Sequence, residues 1–153
     1  MVPYSRSRRR SSVSFVGGRP PSLNLDPYRR PSNMNVKFKF KGSLIAGVPL
    51  LEAQSRHIRL SGNDDYTLQD LHADNRRCLL LKVKWVNFNS VTYEIPLDHY
   101  ERRVSLATLA RRVSRACVHY LQSNMVPVPL ERIELHHLEE IAYGTWQPML
   151  CVR

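Results

Sequence analysis

The sequence predicts an α+β fold: a small antiparallel sheet of about five strands, one long helix packed across one face of it, and a disordered N-terminal tail. Three observations lead to this prediction. Several short segments alternate apolar and polar residues, as half-buried strands do. One segment carries apolar residues at helical spacing. The N-terminal segment is rich in Arg, Ser and Pro and shows no sustained apolar period, which favours disorder.

Length and composition limit the chain to one domain of this kind. A chain of 153 residues with 42% hydrophobic residues can bury a core in a single domain, which we place at residues 36–153. No apolar run approaches the roughly 20 residues that span a bilayer, and no secretory signal is present. We therefore expect an intracellular protein, cytoplasmic or nuclear, that is neither secreted nor membrane-spanning.

The positive charge is concentrated in the predicted tail, residues 1–35. The chain carries a net charge of +10, and the tail holds seven arginines against one acid, so +6 lies on the tail and +4 on the rest. Such a tail attracts acidic surfaces. Its candidate anion-binding residues are Arg8, Arg9 and Arg10. Its candidate phosphorylation sites, which follow Arg-Arg-x-Ser spacing, are Ser11, Ser12 and Ser32.

The first predicted strand is Val36–Lys41, in which three apolar residues face one side and three lysines the other. Lysines on a strand protect a sheet edge from pairing with another chain. A short helix is then predicted to start at Pro49 and to end near Ser55. Thr67 and Asp70 have the spacing of a capping box, which predicts a second short helix over 68–72.

A hairpin is predicted from the strands Leu79–Trp85 and Val91–Ile95. Each strand has one apolar face, and matching these faces fixes the parity of the register. We expect a loop of three or five residues, which would place Trp85 opposite Tyr93.

The segment from Ser105 to Gln122 is predicted to be the long helix, with Ser105 as its N-cap. Its apolar stripe consists of Leu106, Leu109, Ala110, Val113, Ala116, Cys117, Tyr120 and Leu121. The outer face carries the candidate anion-binding residues Arg111, Arg112 and Arg115. A solvated helix face is the ordinary alternative for such arginines.

The C-terminal segment fits two interpretations. Residues 131–143 have apolar positions that suit either a strand or a helix, and we favour a strand over 132–137, a turn ending at Gly144 and a last strand over 145–152. His136 and His137 are adjacent, so on a regular strand their side chains point to opposite faces.

The sequence contains no recognisable catalytic or metal-binding motif. The three cysteines form no CxxC pair, which favours reduced thiols, with Cys117 in the core. Asp70, His72 and Asp74 would share a face if that segment were extended, and they are the best candidates for a catalytic cluster. No metal and no cofactor are predicted.

Several segments together resemble an uncharacterised domain found in fungi, mainly mushroom-forming basidiomycetes, over about residues 37–153. They are Ser61–Thr67, Asp70–Asp74, Thr92–Asp98, Val104–Val113, Arg115–Leu121, Leu135–Glu140 and Tyr143–Leu150. The family has a glycine-containing turn before the helix, whereas this chain reads Asp98-His99-Tyr100-Glu101-Arg102 there. The resemblance implies no activity and carries no catalytic residue.

These observations favour a non-enzymatic interaction module whose basic tail, a candidate for phosphorylation, docks on acidic partners. One alternative is binding of nucleic acid or of an acidic membrane through the tail and the arginines of the helix. A second alternative is an enzyme that uses the region of Asp70, His72 and Asp74. The expected partner is an acidic protein, a nucleic acid or an acidic lipid surface.

Overall fold

The structure, a computed structural model, describes residues 29–153 and the short strand Ser14–Phe15. Most of the predicted tail therefore lies outside the described residues, including Arg8, Arg9, Arg10, Ser11 and Ser12. The helices of residues 29–153 are too short or too polar to cross a membrane.

The described residues form a seven-stranded sheet, a separate two-stranded hairpin, two α-helices and a short 3-10 helix, Leu130–Arg132. In chain order the elements are β1 (Ser14–Phe15), β2 (Asn35–Lys37), β3 (Val48–Pro49), α1 (Leu50–Ala53), β4 (Cys78–Val83), β5 (Val91–Pro96), β6 (His99–Tyr100), β7 (Arg103–Val104), α2 (Leu106–Ser123), β8 (Ile133–Ala142) and β9 (Thr145–Val152). The sheet order is β1-β5-β4-β9-β8-β2, with β3 also paired to β8. The α+β class, the long helix and the strands at β4, β5, β8 and β9 are confirmed. The first predicted strand, Val36–Lys41, is shorter than expected, because β2 ends at Lys37 and Phe40 forms only an isolated bridge with Leu60.

The sheet is mixed, so the prediction of a wholly antiparallel sheet is wrong at one pair. β4 and β9 run parallel, with Leu80 opposite Thr145 and Leu81 opposite Trp146. The other ladders are antiparallel. After β5 the chain crosses the sheet through α2 and returns as the β8–β9 hairpin, whose second strand joins β4. Alternation along a strand does not encode which strand becomes its neighbour.

The β4–β5 hairpin has the predicted parity but not the predicted register. Tyr93 lies opposite Leu81 instead of Trp85, and the last pair is Val83 with Val91. The loop therefore spans residues 84–90. Its longer path is held by Tyr120, whose hydroxyl accepts from Trp85 N at 3.1 Å and donates to Asn89 O at 2.7 Å.

Helix α2 forms as its apolar spacing predicts. Ser105 is the N-cap, and its Oγ accepts from Thr108 N at 3.3 Å. Every residue of the predicted apolar stripe is buried, as is Ser114. The buried face packs on β4, β5 and α1. The opposite face of α2, which carries the arginines, is therefore directed away from the core.

The short elements differ more from the predictions. Helix α1 starts after Pro49 and ends at Ala53, close to its expected bounds. The predicted helix over 68–72 is a series of turns instead. The reciprocal bonds of a capping box are present, because Thr67 N donates to Asp70 Oδ2 at 2.9 Å and Asp70 N donates to Thr67 Oγ1 at 3.0 Å. The cap forms, but no helix continues from it.

Candidate functional site

The arginines of α2 do not act as one group. Arg112 is part of the scaffold: its Nη1 donates to Pro96 O at 2.7 Å, and its Nη2 lies 3.3 Å from Asp98 Oδ1. Its side chain is only 17% exposed. This guanidinium ties the helix to the end of β5, so little of it is left exposed to bind a ligand.

Arg111 and Arg115 are four residues apart and therefore lie on the same side of the helix. Arg56, just beyond α1, adds a third positive charge to this cluster. Within residues 29–153 these three guanidinium groups make no hydrogen bond or ion pair. We call Arg56, Arg111 and Arg115 the arginine face.

The pKa of Arg111 is lowered from its ordinary value. Burial of the side chain is the largest cause, followed by repulsion from Arg112, Arg115 and Arg56. Asp98 opposes this repulsion only weakly, and it is already paired with Arg112. Like charges held close together and not ion-paired favour the binding of an anion.

Arg56 could not be assigned to this site from the sequence. It lies far from α2 along the chain, and no periodic pattern relates the two segments. Only the packing of α1 against α2 brings Arg56 near Arg111.

The structure does not bring Asp70, His72 and Asp74 together as a catalytic cluster. Asp70 is used by the cap with Thr67. Asp74 Oδ1 accepts from Arg76 N and from Cys78 N, each at 2.9 Å, and so shapes the entry to β4. Both carboxylates therefore serve the backbone.

His72 pairs instead with Glu140, which the sequence did not single out. Its Nδ1 lies 2.7 Å from Glu140 Oε2, and the glutamate side chain is completely buried. Gly144 N and Ser32 N also donate to this carboxylate, at 2.7 and 2.6 Å. Three donors satisfy the buried charge, which indicates a structural anchor. No sequence signal marks Glu140 as buried: the alternation that starts at Ile133 and Leu135 places it on the outer face, and the β-bulge between Leu135 and His137 turns it inward.

An aromatic residue covers this anchor. The ring of Tyr143 stacks on His72 with centroids 4.1 Å apart, and the guanidinium of Arg29 lies 5.6 Å from the centroid of the tyrosine ring. Residues 29–32 thus contact the β8–β9 hairpin. Ser32 Oγ is buried and has no hydrogen-bond partner in the described residues. Phosphorylation of Ser32 remains a prediction, and it would require this segment to leave Glu140.

His136 and His137 are in contact, so the expectation that they point to opposite faces is wrong. Their Nδ1 atoms are 2.7 Å apart, and His137 Nε2 lies 2.7 Å from Glu139 Oε2. A β-bulge between Leu135 and His137 breaks the regular alternation of β8. Across residues 29–153 we find no group of three or more His, Cys, Asp or Glu side chains arranged to hold a metal ion.

The fold and the arginine face define a basic α+β protein with a mixed sheet. A family model described as a domain of unknown function, DUF6741, matches residues 23–152, and the chain belongs to this family. The match begins before the predicted domain boundary at residue 36 and includes the segment that contacts Glu140. Neither a search of the curated proteins nor a search of the solved structures found a match.

Proposed function

We propose that the protein is a non-enzymatic interaction module that docks on an acidic partner through the arginine face. The observation that carries this proposal is that Arg56 and Arg115 approach Arg111 while, in the described residues, none of the three forms an ion pair. Guanidinium groups bind carboxylates with paired hydrogen bonds, so an acidic side chain is their natural ligand.

An acidic polypeptide fits this face better than a nucleic acid. The face is small, and Asp98 lies beside it, which would repel a long phosphate backbone. No aromatic residue interleaves with Arg111, Arg112 and Arg115 to stack on bases. A short acidic segment can contact three guanidinium groups while avoiding Asp98.

The basic tail supports the same function through long-range electrostatic attraction. Its net charge of +6 raises the local concentration of acidic partners and speeds their encounter. Phosphorylation at Ser11, Ser12 or Ser32 would lower this charge and weaken the attraction. The tail therefore supplies a regulated, non-specific component, and the arginine face supplies the defined contact.

A non-enzymatic role is further supported by the way the polar groups are used. The buried carboxylate of Glu140 already accepts three hydrogen bonds, and Asp70 and Asp74 bind backbone amides. A catalytic carboxylate must instead be able to exchange a proton with a substrate.

The proposal is tested with the full-length protein and a fluorescent glutamate-rich peptide, whose binding is followed by anisotropy. The double variant R111Q/R115Q should lower the affinity by about tenfold, because two charged contacts are lost. The control K82Q/K84Q removes the same charge from β4 and the loop that follows it, and it should bind like the wild type. Equal affinities for R111Q/R115Q and the control would contradict the proposal. Tighter binding of duplex DNA than of the peptide would favour the nucleic-acid alternative instead.

Two further properties belong to this proposal. From the resembling segments quoted above, we infer that the family is fungal and mainly basidiomycete. A survey of the organisms in which its members occur tests this inference.

We also infer an intracellular location in the cytoplasm or nucleus, because the acidic partner and the candidate kinase sites suit these compartments. Imaging of a fluorescently tagged full-length chain tests the location.

A further inference from the structure

The loop between β2 and β3 exposes two adjacent aliphatic side chains. Leu44 is 97% exposed and Ile45 is 77% exposed. Single exposed aliphatic residues are common on protein surfaces, but two neighbours at the end of a loop form a protruding apolar patch. We call Leu44 and Ile45 the apolar tip.

The backbone of this loop holds the apolar tip away from the core. Gly42 and Gly47 have φ of +86° and +125°, a region that residues with a side chain rarely adopt. A Cβ at Gly47 would also lie 3.0 Å from Glu134 Oε1. Within the loop, Ser43 Oγ donates to Ile45 O at 3.0 Å, and Gly47 N donates to Phe38 O at 2.8 Å. The exposure is thus built into the turn geometry.

Lysine side chains lie beside the apolar tip. Lys37 and Lys39 line a cavity of about 240 Å³ together with Leu44 and the ring of Tyr66. Lys41 lines a second cavity of about 450 Å³ with His57, Arg59 and the acid Glu52. We call Lys37, Lys39 and Lys41 the lysine row. In the described residues none of these three lysines has an ion pair.

Edge protection explains part of this arrangement, since β2 is the edge strand next to β8. It does not explain the apolar tip, because edge protection requires charge and not exposed Leu and Ile. An apolar protrusion bordered by cations complements one kind of surface in particular, in which an apolar layer lies beneath a layer of negative headgroups. A convex tip is also unsuited to enclosing a small ligand.

We propose that the apolar tip and the lysine row bind an anionic phospholipid bilayer. Leu44 and Ile45 enter the boundary between headgroups and acyl chains, and the lysines contact the headgroup phosphates and carboxylates. Two acids oppose this binding: Asp65 lines the same cavity as Lys37, and Glu52 lines the same cavity as Lys41. The site is separate from the arginine face, so it adds a second surface to the proposed module.

The first test is sedimentation of the full-length protein with vesicles of phosphatidylcholine and phosphatidylserine. L44S/I45S should lower the partition coefficient, obtained from the vesicle-bound fraction, by about tenfold, because the inserted apolar area is lost. The matched control V86S/M125S removes two aliphatic side chains of similar exposure, 75% and 80%, and should bind as the wild type does. Unchanged binding by L44S/I45S would overturn the proposal.

The second test separates the contribution of charge from that of insertion. K37Q/K39Q/K41Q should weaken binding and reduce its dependence on salt, whereas D65N should tighten it. Vesicles of phosphatidylcholine alone should bind far less, and equal binding to them would contradict the role of the lysines. Full competition by soluble phosphoserine would show a headgroup site without insertion and would also overturn the proposal. R111Q/R115Q should retain vesicle binding, so failure of the proposed function and failure of this inference are distinguishable.

Discussion

Glu140 is a buried acid that ties Ser32 to the β8–β9 hairpin. Its buried carboxylate joins Ser32, His72 and Gly144, which come from three separate parts of the chain. The sequence could predict that β8 is a strand, but not that one of its acids would be buried. Burial of a charge depends on which donors tertiary packing supplies, and two of these donors are backbone amides.

Replacing Glu140 by Ala should lower the free energy of unfolding by about 3–5 kcal/mol, because three donors lose their acceptor. The matched control is Glu139→Ala, since Glu139 is the adjacent residue and its side chain is 45% exposed. An exposed pair contributes little, so E139A should cost less than about 1 kcal/mol. Urea denaturation measures both values, and equal losses would contradict the anchoring role of Glu140.

Cys117 gives the protein a defined sensitivity to alkaline pH. Burial raises the pKa of this thiol above its ordinary value of 9.0. The folded protein therefore holds the proton after the unfolded chain has lost it, and stability falls as pH rises above 9. Tyr93, whose pKa burial also raises, adds to the fall above its ordinary value of 10.0.

Cys117→Ala should make the fall in unfolding free energy above pH 9 shallower by about 1.4 kcal/mol per pH unit, the value for one proton. The measurement is urea denaturation at a series of pH values under reducing conditions. Cys151→Ala removes an exposed thiol and should follow the wild-type curve. If the C117A curve is parallel to that of the wild type, the buried thiol is not the source of the loss of stability above pH 9.

At the level of elements, the turn between β6 and β7 places two consecutive non-glycine residues at positive φ. Glu101 and Arg102 have φ of +50° and +67°, although neither is glycine. A two-residue turn with both φ values positive favours Asn-Gly. The resemblance implies a glycine in the turn before the helix, and a glycine would adopt these φ values without strain.

Arg102→Gly should therefore stabilise the protein by about 1 kcal/mol, since it relieves the left-handed strain at an exposed position. Thermal unfolding measures the change. Arg103→Gly is the control, because this residue lies in β7 and its Nη1 donates to Asp64 O at 3.1 Å. R103G should destabilise, and stabilisation by both variants would contradict the assignment of strain to the turn.

Long periodic elements were predictable, and the contacts between elements were not. The apolar spacing of α2 is enough to place its buried face, since helix geometry relates residues that are close in sequence. The register of β4 and β5 depends on Tyr120, which holds the loop from another element. The contact between His136 and His137 depends on a bulge, which alternation cannot reveal.

For the whole molecule, the central feature is how positive charge is divided between the tail and the arginine face. The sequence located the tail, Arg111 and Arg115. It could not show that Arg112 is bound to Pro96 O and Asp98, nor that Arg56 joins the face. The proposed function assigns specific docking to the arginine face and long-range attraction to the tail.

The most direct measurement is the affinity of the full-length protein for the glutamate-rich peptide over a range of salt concentrations. R56Q/R111Q/R115Q and R8Q/R9Q/R10Q remove the same number of charges, so their net charges are equal. We predict that the arginine-face variant loses about tenfold or more in affinity even at high salt, and that the tail variant loses affinity only at low salt. Retention of full affinity by the arginine-face variant, with loss in the tail variant at every salt concentration, would contradict the account.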